Sequence, residues 1–312
     1  MEAAARPEVL TIGGGLTVRR LGFGTMSLTG RGTWGDPPDR DAARAVLRRA
    51  RELGVQLFDT ADSYGPEAAE RLVREALHPY EGLLIATKGG FRRQGPHAWS
   101  ADCRPESLRE ACEGSLRRLG LERIDLYQLH VVDAQVPVEE SVGALVDLRQ
   151  EGKIRHIGVC NVDVQKLERA RNVAEIVSVQ NRFSLAERSS EDVLARCEEA
   201  GLAFVAWAPL AKGFLARDEG VLSEIARARG ATPGQVALAW LLGRSACLAP
   251  IPGTSSEAHL AENVGAGALE LAPEEAERLS RDRLWRYRAK RAARQARARA
   301  GRARRALRRR HS

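Results

Sequence analysis

The sequence predicts an α/β fold: one (β/α)8 barrel of the TIM type with an N-terminal β-hairpin and an Arg-rich C-terminal extension. Eight short apolar segments alternate with eight segments of helical periodicity, which implies parallel strands joined by helical crossovers. No G-x-G-x-x-G turn joins the first strand to the first helix, which argues against an open dinucleotide-binding sheet. A length of 312 residues is within the range that such barrels reach as one domain.

The predicted strands are the apolar segments. Two of them, 10–12 and 16–18, are split by three glycines and resemble a hairpin that precedes the barrel. The eight barrel strands are predicted at 21–23, 55–58, 83–86, 124–129, 157–160, 176–179, 203–207 and 246–251.

The predicted helices lie between these strands, and several carry start or stop signals. Asp39 offers a cap and Gly54 a stop for the first helix, Pro105 fits a first helical position, and Thr232 with Pro233 opens a late helix. The helices are predicted at 41–53, 68–77, 105–119, 138–150, 164–172, 191–200, 221–243 and 257–264.

The excess of basic residues is confined to the C-terminus. The chain has 49 Lys and Arg against 41 Asp and Glu, a formal charge of +8. Residues 281–312 hold fourteen Arg, one Lys and one Asp, so residues 1–280 carry 34 basic and 40 acidic groups and a charge of −6. We therefore predict a mildly acidic barrel domain over 1–280 and a disordered basic tail, rich in Arg and Ala, over 281–312.

Cysteine usage and hydropathy indicate a cytoplasmic protein. The five cysteines form no C-x-x-C pair and no His-linked metal spacing, so we expect reduced thiols and no metal site. Residues 1–15 lack an apolar stretch of signal-peptide length, and the longest apolar run, 236–242, is far shorter than the roughly 20 residues that cross a bilayer. We expect no membrane contact, and the sequence does not predict an oligomeric state.

Four polar residues follow the ends of three neighbouring strands. Asp59 ends the second strand, Tyr64 lies in the loop after it, Lys88 ends the third strand and His130 the fourth. Each residue alone has an ordinary structural alternative, such as a helix cap, a packed aromatic or a satisfied histidine. Because the active sites of barrels lie at the C-terminal ends of the strands, all four are expected to point into one mouth.

These four side chains suit the protonation of a carbonyl oxygen. A tyrosine has an ordinary pKa of about 10 and needs a nearby cation to favour its phenolate. Lys88 would supply that cation, and Asp59 would keep it charged and in place. His130 would then hydrogen-bond and orient the reacting oxygen.

The sequence resembles the aldo-keto reductases over about residues 8–280. The matching segments are GFGTM at 22–26, FDTADSYG at 58–65, ATK at 86–88, RLGLERIDLYQLH at 118–130, GKIRHIGVCN at 152–161, QN at 180–181, WAPL at 207–210 and IPGT at 251–254. The resemblance implies reduction of an aldehyde or ketone to the alcohol, with NADPH as the expected cofactor and NADH as the alternative. It implies that Asp59, Tyr64, Lys88 and His130 are the catalytic tetrad, with Tyr64 as the general acid.

The resemblance also implies the cofactor contacts. Asn161 and Gln180 match positions that bond the nicotinamide carboxamide, and Trp207 matches the aromatic residue on which the ring stacks. The segment 207–213 would wrap the pyrophosphate, and 253–263 would hold the adenosine end. The implied cofactor-binding residues are Gly24, Thr25, Met26, Asp59, Cys160, Asn161, Gln180, Trp207, Ala208, Pro209, Leu210, Lys212, Gly213, Gly253, Thr254, Ser255, His259, Glu262 and Asn263.

Three departures from the family pattern bear on specificity. Cys160 stands where the family usually has Ser, and a thiol is the weaker hydrogen-bond partner. Lys212 and His259 are the nearest candidate cations for a 2′-phosphate, because the matching loop lacks Lys and Arg. Val131 follows the histidine where bacterial relatives commonly have Arg. With Met26, Trp34, Trp99 and Val131 near the mouth, and Phe91 as a further candidate, we expect an apolar or aromatic substrate pocket for a small carbonyl compound.

Two other classes of function remain open. One is a regulatory or scaffold module that binds NADP(H) with little turnover, against which the intact tetrad argues. The other is nucleic-acid binding through the basic tail. We do not expect the latter, because the tail has only Trp285 and Tyr287 as aromatic residues of the kind that stack bases.

Overall fold

The computed structural model describes residues 8–217 and 219–282. In this part of the chain the strands are β1 (Val9–Ile12), β2 (Leu16–Arg19), β3 (Phe23–Gly24), β4 (Leu57–Asp59), β5 (Leu84–Gly89), β6 (Phe91–Gly95), β7 (Ala98–Ala101), β8 (Ile124–Leu129), β9 (Ile154–Cys160), β10 (Ile176–Arg182), β11 (Ala203–Trp207) and β12 (Leu248–Pro250). The predicted tail, 281–312, lies outside the described residues apart from its first two positions.

The helices follow the strands in the expected alternation. They are α1 (Arg40–Glu52), α2 (Ala68–Leu77), α3 (Pro105–Leu119), α4 (Val138–Gln150), α5 (Val164–Arg171), α6 (Glu191–Ala200), α7 (Val221–Ala228), α8 (Pro233–Arg244), α9 (Glu257–Gly265) and α10 (Pro273–Arg281). None of the helices in the described ranges combines the length and the apolar character needed to cross a bilayer.

Eight strands form one parallel sheet that closes into a barrel. Their order is β3, β4, β5, β8, β9, β10, β11, β12. The backbone N–H groups of Gly22 and Gly24 donate to the carbonyl oxygens of Pro250 and Pro252, at 3.0 and 3.4 Å, and so join the two edges. The hairpin of β1 and β2 precedes the barrel. The predicted fold class is therefore confirmed.

The structure differs from the sequence prediction in three elements. The predicted helix 221–243 is two helices, because Gly230 has a φ of 61° and Thr232 caps α8 through a reciprocal bond with Gln235. The antiparallel hairpin of β6 and β7 was not predicted, because its residues lack an apolar run. Helix α10 was also not predicted.

The hairpin of β1 and β2 closes the N-terminal end of the barrel. Its buried residues Leu10, Ile12 and Val18 belong to the same cluster as the inward-facing Leu57 and Leu126. Apolar side chains of the hairpin and of the strands therefore fill this end of the barrel, and Asp59, Lys88 and Gln180 lie towards the opposite, C-terminal end of their strands.

A buried arginine joins the hairpin to the last barrel unit. Arg20 is 2% exposed, and its guanidinium donates to the carbonyl oxygens of Leu248 at 3.0 and 3.1 Å, of Leu242 at 2.9 Å and of Ser245. These carbonyls lie at the end of α8 and at the start of β12. The contact therefore satisfies backbone groups that no helix or sheet ladder reaches.

We expect Arg20→Met to lower the free energy of unfolding by about 3 kcal/mol or more, because three buried carbonyls lose a charged donor. Urea unfolding followed by circular dichroism measures this change. The exposed neighbour Arg19 provides the matched control, and Arg19→Met is expected to have little effect. Equal stability of the two variants would contradict the assigned role.

Candidate active site

The parallel register brings four polar side chains to the same level of the barrel. Asp59 pairs with Ala86 in β5, two residues before Lys88, and Lys88 is the direct neighbour of Gln128 in β8. Across the barrel, Gln180 of β10 pairs with Cys160 of β9. Asp59, Lys88, Gln128, Cys160 and Gln180 each lie within the last three positions of their strands, where barrel active sites form.

Lys88 is the centre of the site. It has no exposed surface, and its Nζ donates to Oδ2 of Asp59 at 2.7 Å and to the carbonyl oxygen of Thr60 at 2.8 Å. Its third neighbour is the hydroxyl of Tyr64, at 3.4 Å. These three contacts match the three donors of an ammonium group. Burial lowers the pKa of Lys88 and is the largest single effect, but Asp59, Tyr64 and Cys160 together outweigh it, so the pKa lies above its ordinary value.

The second oxygen of Asp59 is held by amide side chains. Oδ1 accepts from Nε2 of Gln180 at 2.7 Å and from Nε2 of Gln128 at 3.5 Å. The thiol of Cys160 in turn lies 3.7 Å from Oε1 of Gln128. Sequence reasoning missed Gln128. The signal was present, because Gln128 is the only polar residue in the last four positions of β8 and lies two positions before His130, on the same face.

Tyr64 is neutral at physiological pH. Burial raises its pKa to about 12, although the charge of Lys88 acts in the opposite direction. From the sequence, the charge of Lys88 was expected to favour the phenolate of Tyr64. The structure shows that desolvation is the larger effect, so the hydroxyl keeps its proton and can donate it.

His130 is buried beside Tyr64. The two rings are 5.8 Å apart in an edge-to-face arrangement, and Phe91 lies 4.8 Å from His130 on another side. Burial and the charge of Lys88 hold the pKa of His130 well below its ordinary value, so the imidazole is neutral. Its Nδ1 is 3.5 Å from the hydroxyl of Ser63, which leaves Nε2 as the other polar atom of the ring.

Asn161 links the ends of several strands beside this group. Its φ of 58° is unusual for a residue other than Gly. Its Nδ2 donates to the carbonyl oxygen of His130 at 2.9 Å, and its Oδ1 accepts from Nε1 of Trp207 at 3.0 Å. The predicted carboxamide contacts Asn161 and Gln180 and the predicted stacking residue Trp207 therefore lie at the same mouth as the tetrad.

The loop after β11 has an unusual backbone. Ala208, Ala211, Lys212 and Gly213 all have positive φ, between 51° and 80°. The N–H groups of Ala211 and Gly213 donate to the carbonyl oxygens of Ala208 and Leu210, at 2.9 and 3.0 Å, so these donors are engaged within the loop. The predicted contacts Pro209 and Leu210 lie between the residues with positive φ, and Lys212 is exposed. The predicted pyrophosphate contacts therefore form one tight loop that directly follows Trp207.

The segments that contain Gly24 and Gly253 lie in contact. A side chain at Gly253 would bring Cβ within 2.4 Å of the carbonyl oxygen of Gly24, so position 253 requires glycine. Thr25 is fully buried, with its Oγ1 lacking a hydrogen-bond partner, whereas Met26 is 39% exposed. Met26 is thus accessible at the mouth, and the Thr25 side chain is not.

Helix α9 carries the remaining predicted cofactor residues. Its N-terminus is capped by Ser256, which accepts from the backbone N–H of His259, and the hydroxyl of Thr254 accepts from the N–H of Ser256. Ser255, His259 and Glu262 are exposed, and Asn263 is 6% exposed. The exposed helix start suits a phosphate, but His259 and Glu262 lie on the outside of the barrel and have no described contact with the tetrad.

Aromatic side chains surround the mouth. Trp99 lies 6.4 Å from Tyr64 and from His130, and 5.3 Å from Phe91. Trp34 and Trp99 are each 36% exposed. Val131, also predicted here, is half-buried and packs against the main core cluster. Within residues 8–217 and 219–282, no group of three His, Cys, Asp or Glu side chains is arranged to hold a metal.

We expect Lys88→Met to destabilise the protein by about 3–5 kcal/mol, because it leaves the Asp59 carboxylate buried without its cation. The double variant Asp59→Asn/Lys88→Met removes both charges and should recover at least half of that loss. Urea unfolding of the wild type, both single variants and the double variant gives the four free energies of unfolding of this double-mutant cycle. Additive losses in the double variant would show that the two charges do not stabilise each other.

Comparison with known proteins places this geometry in a family. Residues 20–281 match the model of the aldo/keto reductase family. The chain is 46% identical over 261 residues to an uncharacterised oxidoreductase of Schizosaccharomyces pombe, and the aligned region covers 84% of this chain and 85% of that protein. It is 43% identical over 265 residues to pyridoxine 4-dehydrogenase of Escherichia coli K12, and the aligned region covers 83% of this chain and 92% of that protein.

A solved structure supports the same assignment. The aldo-keto reductase of Klebsiella pneumoniae in complex with NADPH superimposes with a TM-score of 0.75 at 28% identity, over 88% of this chain and 94% of that one. The family match covers every strand of the barrel and the segments that carry the buried Asp59–Lys88 pair, Tyr64 and His130. The chain therefore belongs to the aldo/keto reductase family of oxidoreductases.

Proposed function

We propose that this protein reduces an aldehyde or ketone to the alcohol with NADPH as the reductant, and that Tyr64 donates the proton. The observation that carries the proposal is the hydroxyl of Tyr64, neutral and 3.4 Å from the ammonium of Lys88. A bound nicotinamide cofactor would supply the hydride at its C4 atom.

The residues of this chain supply the proton and stabilise the charge. Tyr64 gives its proton to the oxygen that becomes the alcohol. Lys88 stabilises the phenolate that Tyr64 becomes, and Asp59 keeps the ammonium charged and oriented. Neutral His130 hydrogen-bonds the same oxygen and aligns it with the hydroxyl of Tyr64. In the oxidative direction, Tyr64 would be the base.

The residues that would hold the cofactor lie on three segments at the mouth of the barrel. Gln180 donates its Nε2 to Asp59, so its Oε1 is left to accept from a carboxamide, and Asn161 lies beside it. Trp207 would pack on the nicotinamide ring, the loop 208–213 would bind the pyrophosphate, and 253–263 would hold the adenosine end. Cys160 is fully buried against Gln128, so we assign it to packing beneath the carboxamide site.

We propose a flat aromatic carbonyl compound as the substrate. Trp34, Phe91 and Trp99, with the exposed Met26, give the mouth aromatic and apolar walls. The relative from Escherichia coli is named for pyridoxine, an aromatic ring compound, which supports the same class.

The proposed catalytic unit is residues 1–280, without a role for residues 281–312. The five free cysteines agree with a cytoplasmic location.

We expect Tyr64→Phe to lower kcat for reduction of benzaldehyde by about 10²–10⁴-fold, because the general acid is lost. The NADPH dissociation constant should not change. Tyr80→Phe is the matched control, because Tyr80 is a buried tyrosine that donates to the carbonyl oxygen of Leu119, away from the site. Loss of NADPH absorbance measures the rates.

Full activity of Tyr64→Phe would disprove the proposed acid. Tight NADPH binding by the wild type without turnover of any carbonyl compound would favour the regulatory alternative instead.

We expect NADPH to bind about tenfold more tightly than NADH, an advantage of roughly 1.4 kcal/mol that comes from cationic groups near the 2′-phosphate. The double variant Lys212→Gln/His259→Gln should weaken NADPH binding more strongly than NADH binding. Quenching of tryptophan fluorescence during titration gives both dissociation constants. Equal affinity of the wild type for the two cofactors would refute this preference.

A further inference from the structure

We infer that Arg93 is a positioning residue that fixes the walls of the substrate mouth relative to Tyr64. Arg93 lies in β6, on the side of the hairpin that faces the loops after β3 and β4. One guanidinium holds three loops together there. The inference rests on the proposed function for its kinetic consequences, but the contact itself is independent of that function.

All five N–H donors of the guanidinium are engaged by backbone carbonyl oxygens. Nε donates to Ala98 at 3.1 Å. Nη1 donates to Thr33 at 2.7 Å and to Ser63 at 2.8 Å. Nη2 donates to Gly32 at 3.1 Å and to Gly95 at 3.2 Å. A guanidinium has no further donors, so this side chain is fully satisfied.

The five carbonyls come from three different loops of the barrel mouth. Gly32 and Thr33 lie in the loop after β3, Ser63 lies in the loop after β4, and the other two lie in the hairpin itself. Ser63 directly precedes Tyr64, so the clamp reaches the backbone of the proposed acid. Backbone bonds reinforce it, because the N–H of His97 also donates to Gly32 at 3.2 Å.

The same guanidinium orients two tryptophans. Its Cζ is 3.8 Å from the ring centre of Trp99 and 5.7 Å from that of Trp34. Trp99 contacts the rings of Tyr64 and His130. Because a planar guanidinium both stacks and donates in its own plane, one residue sets the position of the aromatic wall and of the loop that carries Tyr64.

The hydrogen bonds of Arg93 also exclude a role in binding a substrate carboxylate. Among the described residues, it has no ion pair with an acidic side chain, whereas its neighbour Arg92 pairs with Asp102 at 3.2 Å and Glu110 at 2.7 Å. With no N–H left over, Arg93 offers no hydrogen bond to a substrate carboxylate. The mouth is thus shaped for the face of an aromatic ring, without an anchor for an acid at this position.

The test compares Arg93→Met and Arg93→Lys with the control Arg92→Met. Benzaldehyde and propanal serve as aromatic and aliphatic substrates. For benzaldehyde, both Arg93 variants should raise KM at least about tenfold with a smaller change in kcat. For propanal, KM should change little, and the NADPH dissociation constant should stay the same. Lysine should not rescue, because an ammonium has three donors and no plane.

Hydrogen exchange provides a readout that does not depend on catalysis. Peptides that cover 30–36 and 91–101 should exchange faster in both Arg93 variants than in the wild type or in Arg92→Met, while peptides from β9 and β10 should be unchanged. This arm decides the question even if the protein reduces neither aldehyde. Unchanged exchange in these loops, or equal losses for both aldehydes, would overturn the inference.

Discussion

The ion pair between Lys88 and Asp59 is the constraint on which the rest of the site depends. Two charges inside a barrel are stable only when their remaining hydrogen-bonding groups are satisfied. Lys88 meets this condition through the carbonyl of Thr60 and the hydroxyl of Tyr64, and Asp59 meets it through Gln180. The two charges come from β4 and β5, and their partners come from the loop after β4 and from β10. The pair therefore requires the closed barrel, because no single unit supplies all of its partners.

Beside this ion pair, the site holds two buried neutral groups, the phenol of Tyr64 and the imidazole of His130. Burial raises the pKa of Tyr64 to about 12, and burial together with the charge of Lys88 lowers that of His130. The two shifts have opposite directions because desolvation disfavours the charged form of each group. A protonated phenol and an uncharged imidazole result, both at a mouth whose aromatic wall is held by Arg93. The electrostatics and the geometry thus have separate supports, the ion pair inside the barrel and the clamp on its rim.

Sequence reasoning found Asp59, Lys88 and His130 because each follows an apolar strand, and the ends of parallel strands meet. Gln128 was missed because a single glutamine in an apolar strand matches no motif and its partner Asp59 is 69 residues away, although its position on the face of His130 was a usable signal. Arg93 was missed for a different reason. It lies in a polar segment between the predicted strand 83–86 and the predicted helix 105–119, among many arginines, and its five partners are backbone carbonyls, which residue type does not indicate. Contacts between side chains and distant backbone groups cannot be inferred from residue type.

By itself, the sequence determined the alternation of strands and helices, the closed barrel, and the level at which the polar strand ends lie. These features follow from the local periodicity of apolar residues and from the number of strand–helix units, and both can be counted along the sequence. Only the tertiary structure decided which polar groups touch, that burial outweighs Lys88 in setting the protonation of Tyr64, and that Arg93 is saturated by backbone. Those outcomes depend on distances between segments that are far apart in the sequence and on the loss of water around each group. Neither quantity can be calculated from the order of residues alone.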